Sequence, residues 1–157
     1  RGTKADVWEA GHRVPFFASW PGVIKPGSKC ARTTAHVDLF ATCAEIAGAT
    51  LPDNAAEDSF SWLPLFRGGD WAKLRPPVIN HSAGGMFALR NGKWKLVAGN
   101  GSGGREAPKG KPFGKPYQLF DLSSDLGERN DLAKAEPELV GRLTAQLEDI
   151  RTKGRSR

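Results

Sequence analysis

The second half of the sequence predicts a small α+β fold, an antiparallel sheet of about four strands with one helix packed across it. The first observation is a hairpin pattern over residues 86–97, where Asn91-Gly92 joins two strand-like runs. This dipeptide tolerates the positive φ angles of a tight turn. The second observation is a strand-like run on each side of the hairpin, at 78–82 and 117–122. The third is an amphipathic segment near the end of the chain.

That last segment predicts a helix because its apolar residues recur every three or four positions. Leu139, Leu143, Leu147 and Ile150 share one helical face, and Pro137 lies near the first turn, where its missing N–H costs nothing. We expect this face to cover one side of the sheet.

Between the third and fourth strands lies a basic, glycine-rich stretch, residues 99–116, with six Gly and three Pro. Such composition is typical of a long mobile loop. Its Lys and Arg residues suggest that an anionic polymer could be attracted there.

The first half of the sequence is less regular. The apolar run at 13–20 predicts a buried strand that ends in a turn. A helix of about ten residues follows, with Asp38 as its N-cap and Gly48 as its stop. Residues 49–77 mix Pro, Asp, Asn and Gly with aromatic residues, which favours an irregular connector.

Composition excludes several classes of function. Only 39% of residues are hydrophobic, and no apolar run approaches the ~20 residues that cross a bilayer, so no membrane association is expected. The formal charge is +6, but the basic residues are spread over loop, hairpin and tail without a nucleic-acid-binding motif. We therefore expect no nucleic-acid partner.

Histidines and cysteines give no metal signature. His12, His36 and His81 show no paired-ligand spacing, so we expect no metal ligands in this chain. Cys30 and Cys43 lack a CxxC pattern. We expect them to be buried free thiols, with a single bridge between them as the alternative.

Several blocks, in order, resemble one enzyme family. The run G-T-K-A-D-V-W-E-A-G-H-R-V-P at 2–15, closed by W-P-G at 20–22, resembles the segment of formylglycine-dependent sulfatases that reads G-x-K, an aromatic residue and E-G-G-x-R-V-P. The later blocks that fall in the family's order are 36–42, 61–65, 87–96, 118–122, 125, 127–128 and 130–132. Nearly the whole chain is covered, and it is similar to arylsulfatase-like enzymes of the alkaline phosphatase superfamily, in their C-terminal part.

The resemblance implies an α/β parent fold and a sulfuric ester hydrolase. Residues 1–50 would end the large α/β domain with its last strand and helix. Residues 51–77 would connect this domain to the α+β subdomain, which residues 78–157 would form. In this family a hydrated formylglycine attacks sulfur, and calcium neutralises the sulfate oxygens. Lysines and histidines bind the sulfate and assist the leaving alcohol. The implied partners are a sulfate ester, such as a sulfated polysaccharide, and the rest of the sulfatase chain.

Two residues are candidate site residues. Lys4, the lysine of G-x-K, resembles the family lysine that contacts the sulfate. His81 heads the strand before the hairpin and is expected to face the substrate pocket, with a hydrogen-bonded structural histidine as the alternative. Glu9 and Arg13 are expected to form a structural ion pair or to anchor the backbone.

Departures from the family pattern limit what this chain can do alone. Neither Cys30 nor Cys43 is followed by the x-Pro/Ala-x-Arg of a formylglycine site, and the family's calcium-binding Asp and Asn residues are missing. Ala10 replaces the first glycine of E-G-G. We therefore expect the isolated chain to be inactive.

Two further expectations concern the whole protein. The sequence opens with Arg1, so we expect a piece of a longer chain. Because sulfatases are usually exported, we expect a periplasmic or extracellular location. The alternative function is a non-catalytic, sulfatase-derived module that binds an anionic glycan or a protein.

Overall fold

The computed structural model describes residues 1–69 and 75–157, and its main feature is a four-stranded antiparallel sheet. The strands follow in sequence order and are β1 (Val78–His81), β2 (Phe87–Asn91), β3 (Trp94–Val97) and β4 (Gln118–Asp121). The helices are α1 (Asp38–Ile46), α2 (Leu63–Phe66) and α3 (Pro137–Lys153), with a short 3-10 helix at Glu9–Gly11. The predicted sheet and C-terminal helix are confirmed.

The chain divides into two compact units. The sheet unit comprises residues 1–14 and 77–152, and the α1 unit comprises 15–76 and 153–157. The predicted boundaries at 50 and 77 refer to a longer protein and stay predictions. Part of the predicted connector, residues 70–74, lies outside the described residues.

The hairpin between β2 and β3 has a two-residue turn at a different position from the one that the dipeptide suggested. Asn91 pairs with Trp94, so the two turn residues are Gly92 and Lys93 rather than Asn91 and Gly92. Gly92 has a φ of 58°, a value that glycine adopts without steric cost. The hairpin is confirmed, and its turn lies one residue later than predicted.

Both faces of the sheet are buried, because alternate side chains point to opposite sides. One face packs against α3 through a cluster whose sheet members are Leu89, Leu96 and Leu119. The helix contributes Leu139, Leu143 and Leu147 to that cluster. The other face packs against the N-terminal residues, in a cluster of Val7, Trp8, Met86, Ala88, Val97, Phe120 and Leu122.

Asp38 begins α1 but does not cap it in the predicted way. Val37 occupies the cap position, and the fully buried Asp38 carboxylate binds elsewhere. It accepts hydrogen bonds from the backbone of Ala35 and from the Trp62 indole, and it forms an ion pair of 2.8 Å with Arg75. Asp38 therefore links the start of α1 to Trp62 and Arg75.

Two predictions for the first half are wrong. Residues 13–20 form no strand, and Phe17 is 92% exposed. A strand needs a hydrogen-bonded neighbour, and no strand of the described residues pairs with this run. Cys30 and Cys43 are free thiols as expected, but both are exposed rather than buried.

Candidate functional site

Lys4 lies at the surface on a tight turn at the start of the sheet unit. The Asp6 amide donates to the Thr3 carbonyl at 3.0 Å, and the Thr3 amide donates to Asp6 Oδ2 at 2.8 Å. We call residues 3–6 the Lys4 turn. Within the described part of the chain, the Lys4 ammonium has neither a hydrogen-bond nor an ion-pair partner. The turn therefore presents a free positive charge on a fixed backbone.

Asp6 anchors this turn to the glycine-rich stretch 99–116. Its Oδ1 accepts hydrogen bonds from the amides of Arg105 at 2.5 Å and Glu106 at 3.2 Å. Burial raises the pKa of the Asp6 carboxyl, but hydrogen bonds from the backbone amides of Thr3, Arg105 and Glu106 outweigh it. The net result is a pKa below the ordinary value of 3.8, so Asp6 is a carboxylate at neutral pH.

The stretch 99–116 is not the loosely held loop that its composition suggested. The Ser102 amide donates to the Pro108 carbonyl at 2.8 Å, and the Gly103 amide donates to the Lys109 carbonyl at 2.7 Å. Gln118 on β4 donates to the carbonyl of Gly99. These bonds fold the stretch back on itself, and Ser102 is fully buried.

His81 is exposed at the end of β1. Its Nδ1 lies 3.0 Å from the Ser82 carbonyl, and its ring centroid lies 6.0 Å from that of Phe87. Two residues later, the Ala83 amide donates to the carbonyl of Ala5 at 2.9 Å. This bond brings the backbones that carry His81 and Lys4 together. The interpretation of His81 as a residue facing a substrate pocket stays a prediction.

His12 is a residue that sequence reasoning missed. It follows the 3-10 helix, and its Nε2 is buried without a hydrogen-bond partner among the described residues. Burial lowers the pKa of His12, and the charges of Lys95 and His81 lower it further, against the opposing effects of Glu9 and the Asp6 backbone. His12 is therefore neutral at neutral pH and lies within electrostatic range of His81. The sequence signal that could have pointed to His12 is its place in the same block as Lys4.

A buried ionic cluster binds Glu9, in the same N-terminal segment as Lys4 and His12. The fully buried Lys95 ammonium lies 3.2 Å from Glu9 Oε2 and 2.9 Å from Glu128 Oε1, although the second contact is not aligned as a hydrogen bond. Arg90 forms an ion pair of 2.6 Å with Glu9 Oε1, and Arg13 lies 3.7 Å from the same atom. The expected pairing of Glu9 with Arg13 is confirmed. Lys95 and Glu128 were not predicted, because the two residues lie far apart in the sequence and no local pattern shows that they meet.

Glu128 also binds the backbone of this segment directly. Its Oε2 accepts the Glu9 amide at 2.5 Å. Glu128 is fully buried and has a positive φ of 52°, an unusual conformation for a residue with a side chain. The cluster thus fixes the backbone at Glu9 as well as neutralising its side chain.

Metal binding finds no support in this part of the molecule. Within residues 1–69 and 75–157, no three His, Cys, Asp or Glu side chains are grouped so that they could hold an ion. What the site offers is one exposed ammonium on a fixed backbone, with the exposed imidazole of His81 on a segment that is hydrogen-bonded to the Lys4 turn. Such an arrangement can bind an anion and stabilise negative charge, but it holds no activated nucleophile.

Comparison with known proteins gives one consistent result. Residues 1–49 match the family model described as Sulfatase. The chain is 33% identical over 155 residues to an N-acetylgalactosamine-6-O-sulfatase of Bacteroides thetaiotaomicron, which covers 98% of this chain and 30% of that protein. It is 43% identical over 156 residues to the steryl-sulfatase of Homo sapiens, with 86% of this chain and 26% of that protein covered.

A solved structure gives the same result. It is described in connection with the metabolism of multiple glycosaminoglycans by Bacteroides thetaiotaomicron. It matches with a TM-score of 0.81 and 32% identity, over 97% of this chain and 32% of that one. The chain thus spans about a third of the solved protein, and 30% of the first curated relative.

Proposed function

The chain belongs to the sulfatase family, and we propose that it is the C-terminal part of an enzyme that hydrolyses sulfate esters, with Lys4 as a sulfate-binding residue. The observation that carries this proposal is the exposed Lys4 ammonium, which lacks a partner among the described residues and lies on a turn that Asp6 holds in place. Lys4 is also the lysine of the G-x-K block.

Charge explains why such a lysine suits this reaction. During sulfuryl transfer, negative charge develops on the sulfate oxygens and on the departing alcohol oxygen. A fixed cation near those oxygens stabilises the transition state more than the ground state. Because the Lys4 turn is already bonded in place, little reorganisation is needed when the substrate binds.

The remaining chemistry belongs to residues outside this chain. Neither cysteine has the sequence context for conversion to formylglycine, and the donor set for calcium is not assembled in the part of the chain that the structure describes. When bound, calcium would supply charge neutralisation at the sulfate oxygens. We therefore propose that the nucleophile and the metal ligands precede Lys4 and that the 157 residues alone are inactive.

His81 is proposed to lie beside the substrate. It is exposed, and the hydrogen bond between Ala83 and Ala5 joins its segment to the Lys4 turn. An imidazole in that position can donate a hydrogen bond to a sulfate oxygen or to the leaving oxygen.

The substrate class is proposed to be a sulfated glycan. The first relative is named for the 6-O-sulfate of N-acetylgalactosamine, and this chain is basic, with a formal charge of +6. Positive charge attracts sulfated polymers over a distance of about one Debye length. We further propose that the protein is exported, because sulfatases usually are. As a separate finding, no helix within the described residues has the length and apolar character needed to cross a membrane.

Turnover of an aromatic sulfate tests the enzymatic proposal. The full protein is coexpressed with a formylglycine-generating enzyme and assayed with calcium or with a chelator, beside the 157-residue chain. We expect calcium-dependent turnover by the full protein alone. Lys4→Ala should lower turnover by ~10²-fold, the scale of losing one charged contact to the transition state. The control is Lys134→Ala, another exposed lysine of the sheet unit.

Each contrary result has a defined meaning. Full activity of Lys4→Ala would remove Lys4 from the site while leaving the enzyme intact. No turnover by the full protein on aromatic or glycan sulfates would contradict the proposed reaction. Retention of the chain on a sulfated-glycan column would then favour the non-catalytic module.

A further inference from the structure

We propose that Asp6 and the glycine-rich turn at 101–104 are positioning elements for Lys4, so that a distant segment of the sheet unit determines where the sulfate-binding ammonium lies. This inference rests on the proposed function of Lys4. It assigns a role to residues that never touch the substrate themselves.

Asp6 is the link between the two segments. One carboxylate oxygen closes the Lys4 turn at Thr3, and the other accepts the amides of Arg105 and Glu106. Asp6 is fully buried, so these bonds are shielded from competing water. A shift of the 101–106 backbone is therefore transmitted to the turn that carries Lys4.

Gly104 brings the two backbones closer than any other residue would permit. A Cβ at this position would overlap both the carbonyl oxygen of Ala5 and Oδ1 of Asp6. The neighbouring Ser102 donates to the Glu106 carbonyl at 2.5 Å and accepts the Gly104 amide at 3.1 Å, which holds the approaching turn in shape. Glycine at 104 is thus required by contact with the Lys4 turn.

Ala5 shows that the Lys4 turn is held rather than relaxed. Its φ is 86°, a region that non-glycine residues rarely adopt. Such a conformation persists only where the surrounding bonds enforce it. Its carbonyl accepts the Ala83 amide, and the Val7 amide donates to the Ser102 carbonyl at 2.8 Å. The backbone that follows Lys4 is therefore held by residues from the second half of the chain.

The consequence is pre-organisation of one charge. A reacting group that is misplaced by about 1 Å can lose ~10²-fold in rate. Release of the Lys4 turn would leave the ammonium present but no longer held in position to contact the sulfate. Loss of Asp6 or insertion of a methyl group at 104 should then resemble loss of Lys4 itself.

A double-mutant cycle in the full, matured enzyme tests this. The values of kcat and KM for an aromatic sulfate are measured for Asp6→Asn and Gly104→Ala, each with Lys4 and with Lys4→Ala. We expect a loss in kcat/KM of ~10²-fold when Lys4 is present and little further loss when it is absent. Gly141→Ala is the matched control, because a Cβ there meets nothing within 4 Å.

A milder variant tests the same link in case Asp6→Asn or Gly104→Ala fails to fold. Ser102→Ala keeps the glycines and Asp6 but removes one hydroxyl, and we expect a smaller loss, again only when Lys4 is present. Thermal unfolding confirms that each assayed variant is folded. Trypsin cleavage after Lys4 should also be faster in Ser102→Ala than in the wild type, because a released turn fits a protease better.

The outcomes separate this inference from the proposed function. If Lys4→Ala is impaired but Asp6→Asn and Gly104→Ala lose the same factor in both backgrounds, the positioning role is overturned and Lys4 keeps its own. Full activity of Asp6→Asn would likewise overturn it. If Lys4→Ala is fully active, the proposed role of Lys4 falls, and the inference falls with it.

Discussion

The sheet unit and the α1 unit differ in how far their large apolar side chains are buried. In the sheet unit, Phe120, Leu89 and Leu96 are fully buried, and both faces of the sheet are covered. In the α1 unit, Phe17 is 92% exposed and Phe40 on α1 is 60% exposed. Further exposed apolar residues of that unit are Phe16, Val37, Leu39 and Ile46.

This difference indicates which part of the molecule carries its own stability. A unit whose apolar side chains are already buried gains little from a partner, whereas exposed aromatic and aliphatic groups gain ~25 cal/mol for each Å² covered. We propose that the apolar surface of the α1 unit is covered by the rest of the sulfatase chain. The sheet unit has fewer such apolar residues exposed, namely Val14 and Leu126.

Breaking the buried ionic cluster should give the largest effect. Lys95→Met leaves Glu9 and Glu128 buried without their shared cation, since Lys95 is fully buried between them. Removing one partner of a buried pair typically costs about 3–5 kcal/mol. We expect a loss of that size in the free energy of unfolding of the sheet unit. It is measured by urea denaturation, with the circular dichroism of the strands as the signal.

The neighbouring Lys93 provides the control for this experiment. The Lys93 side chain is 51% exposed, and its ammonium pairs with Asp121 at the surface. Lys93→Met should change the urea midpoint little, because exposed pairs contribute little. Equal effects of the two lysine variants would mean that the cluster contributes no more than a surface pair.

Truncating the core of the sheet unit should give an effect of similar or slightly smaller size. Phe120→Ala removes a fully buried ring from the face that packs against Val7 and Trp8. Such truncations cost about 3–5 kcal/mol, through lost burial and the cavity that remains. Differential scanning calorimetry should show a clear fall in Tm. A fall of only one or two degrees would show that this core can collapse around the gap.

Sequence predicted the sheet unit well because its signals are local. Strands, hairpin and α3 each follow from apolar periodicity and turn residues within one short segment, and the blocks that carry the sulfatase resemblance are likewise continuous. The family assignment is confirmed by the comparisons. Lys4 was identified by the resemblance alone, and its role stays a proposal.

The features that sequence missed depend on contacts between distant segments. Lys95 looks like an exposed strand residue until Glu128, 33 positions later by residue number, is placed beside it. Asp6 and Gly104 meet only in the fold, so neither could be singled out. The strand at 13–20 failed for the converse reason: apolar character predicts burial, but a strand needs a partner that these residues do not have in the described structure.

Acid should weaken the sheet unit through His12. Its pKa in the folded protein lies below the ordinary value of 6.5, first because of burial and then because of Lys95. As the pH falls below 6.5, the unfolded chain therefore binds a proton more readily than the folded one, and the free energy of unfolding decreases. His12→Gln should show a smaller decrease between pH 7 and about pH 5. The control is His36→Gln, an exposed histidine of the α1 unit.

The smallest effect on stability should come from the phenylalanine that is most exposed. Phe17→Ala removes the same ring as Phe120→Ala, but from a side chain that contacts solvent over 92% of its surface, so the free energy of unfolding of the 157-residue chain should change by no more than about 0.5 kcal/mol. Self-association, measured by analytical ultracentrifugation, should decrease, because an apolar patch becomes smaller. In the full enzyme the same substitution should lower Tm, since there the ring would be covered. An unchanged Tm of the full enzyme would mean that the α1 surface stays open there, and its apolar side chains would then need another partner.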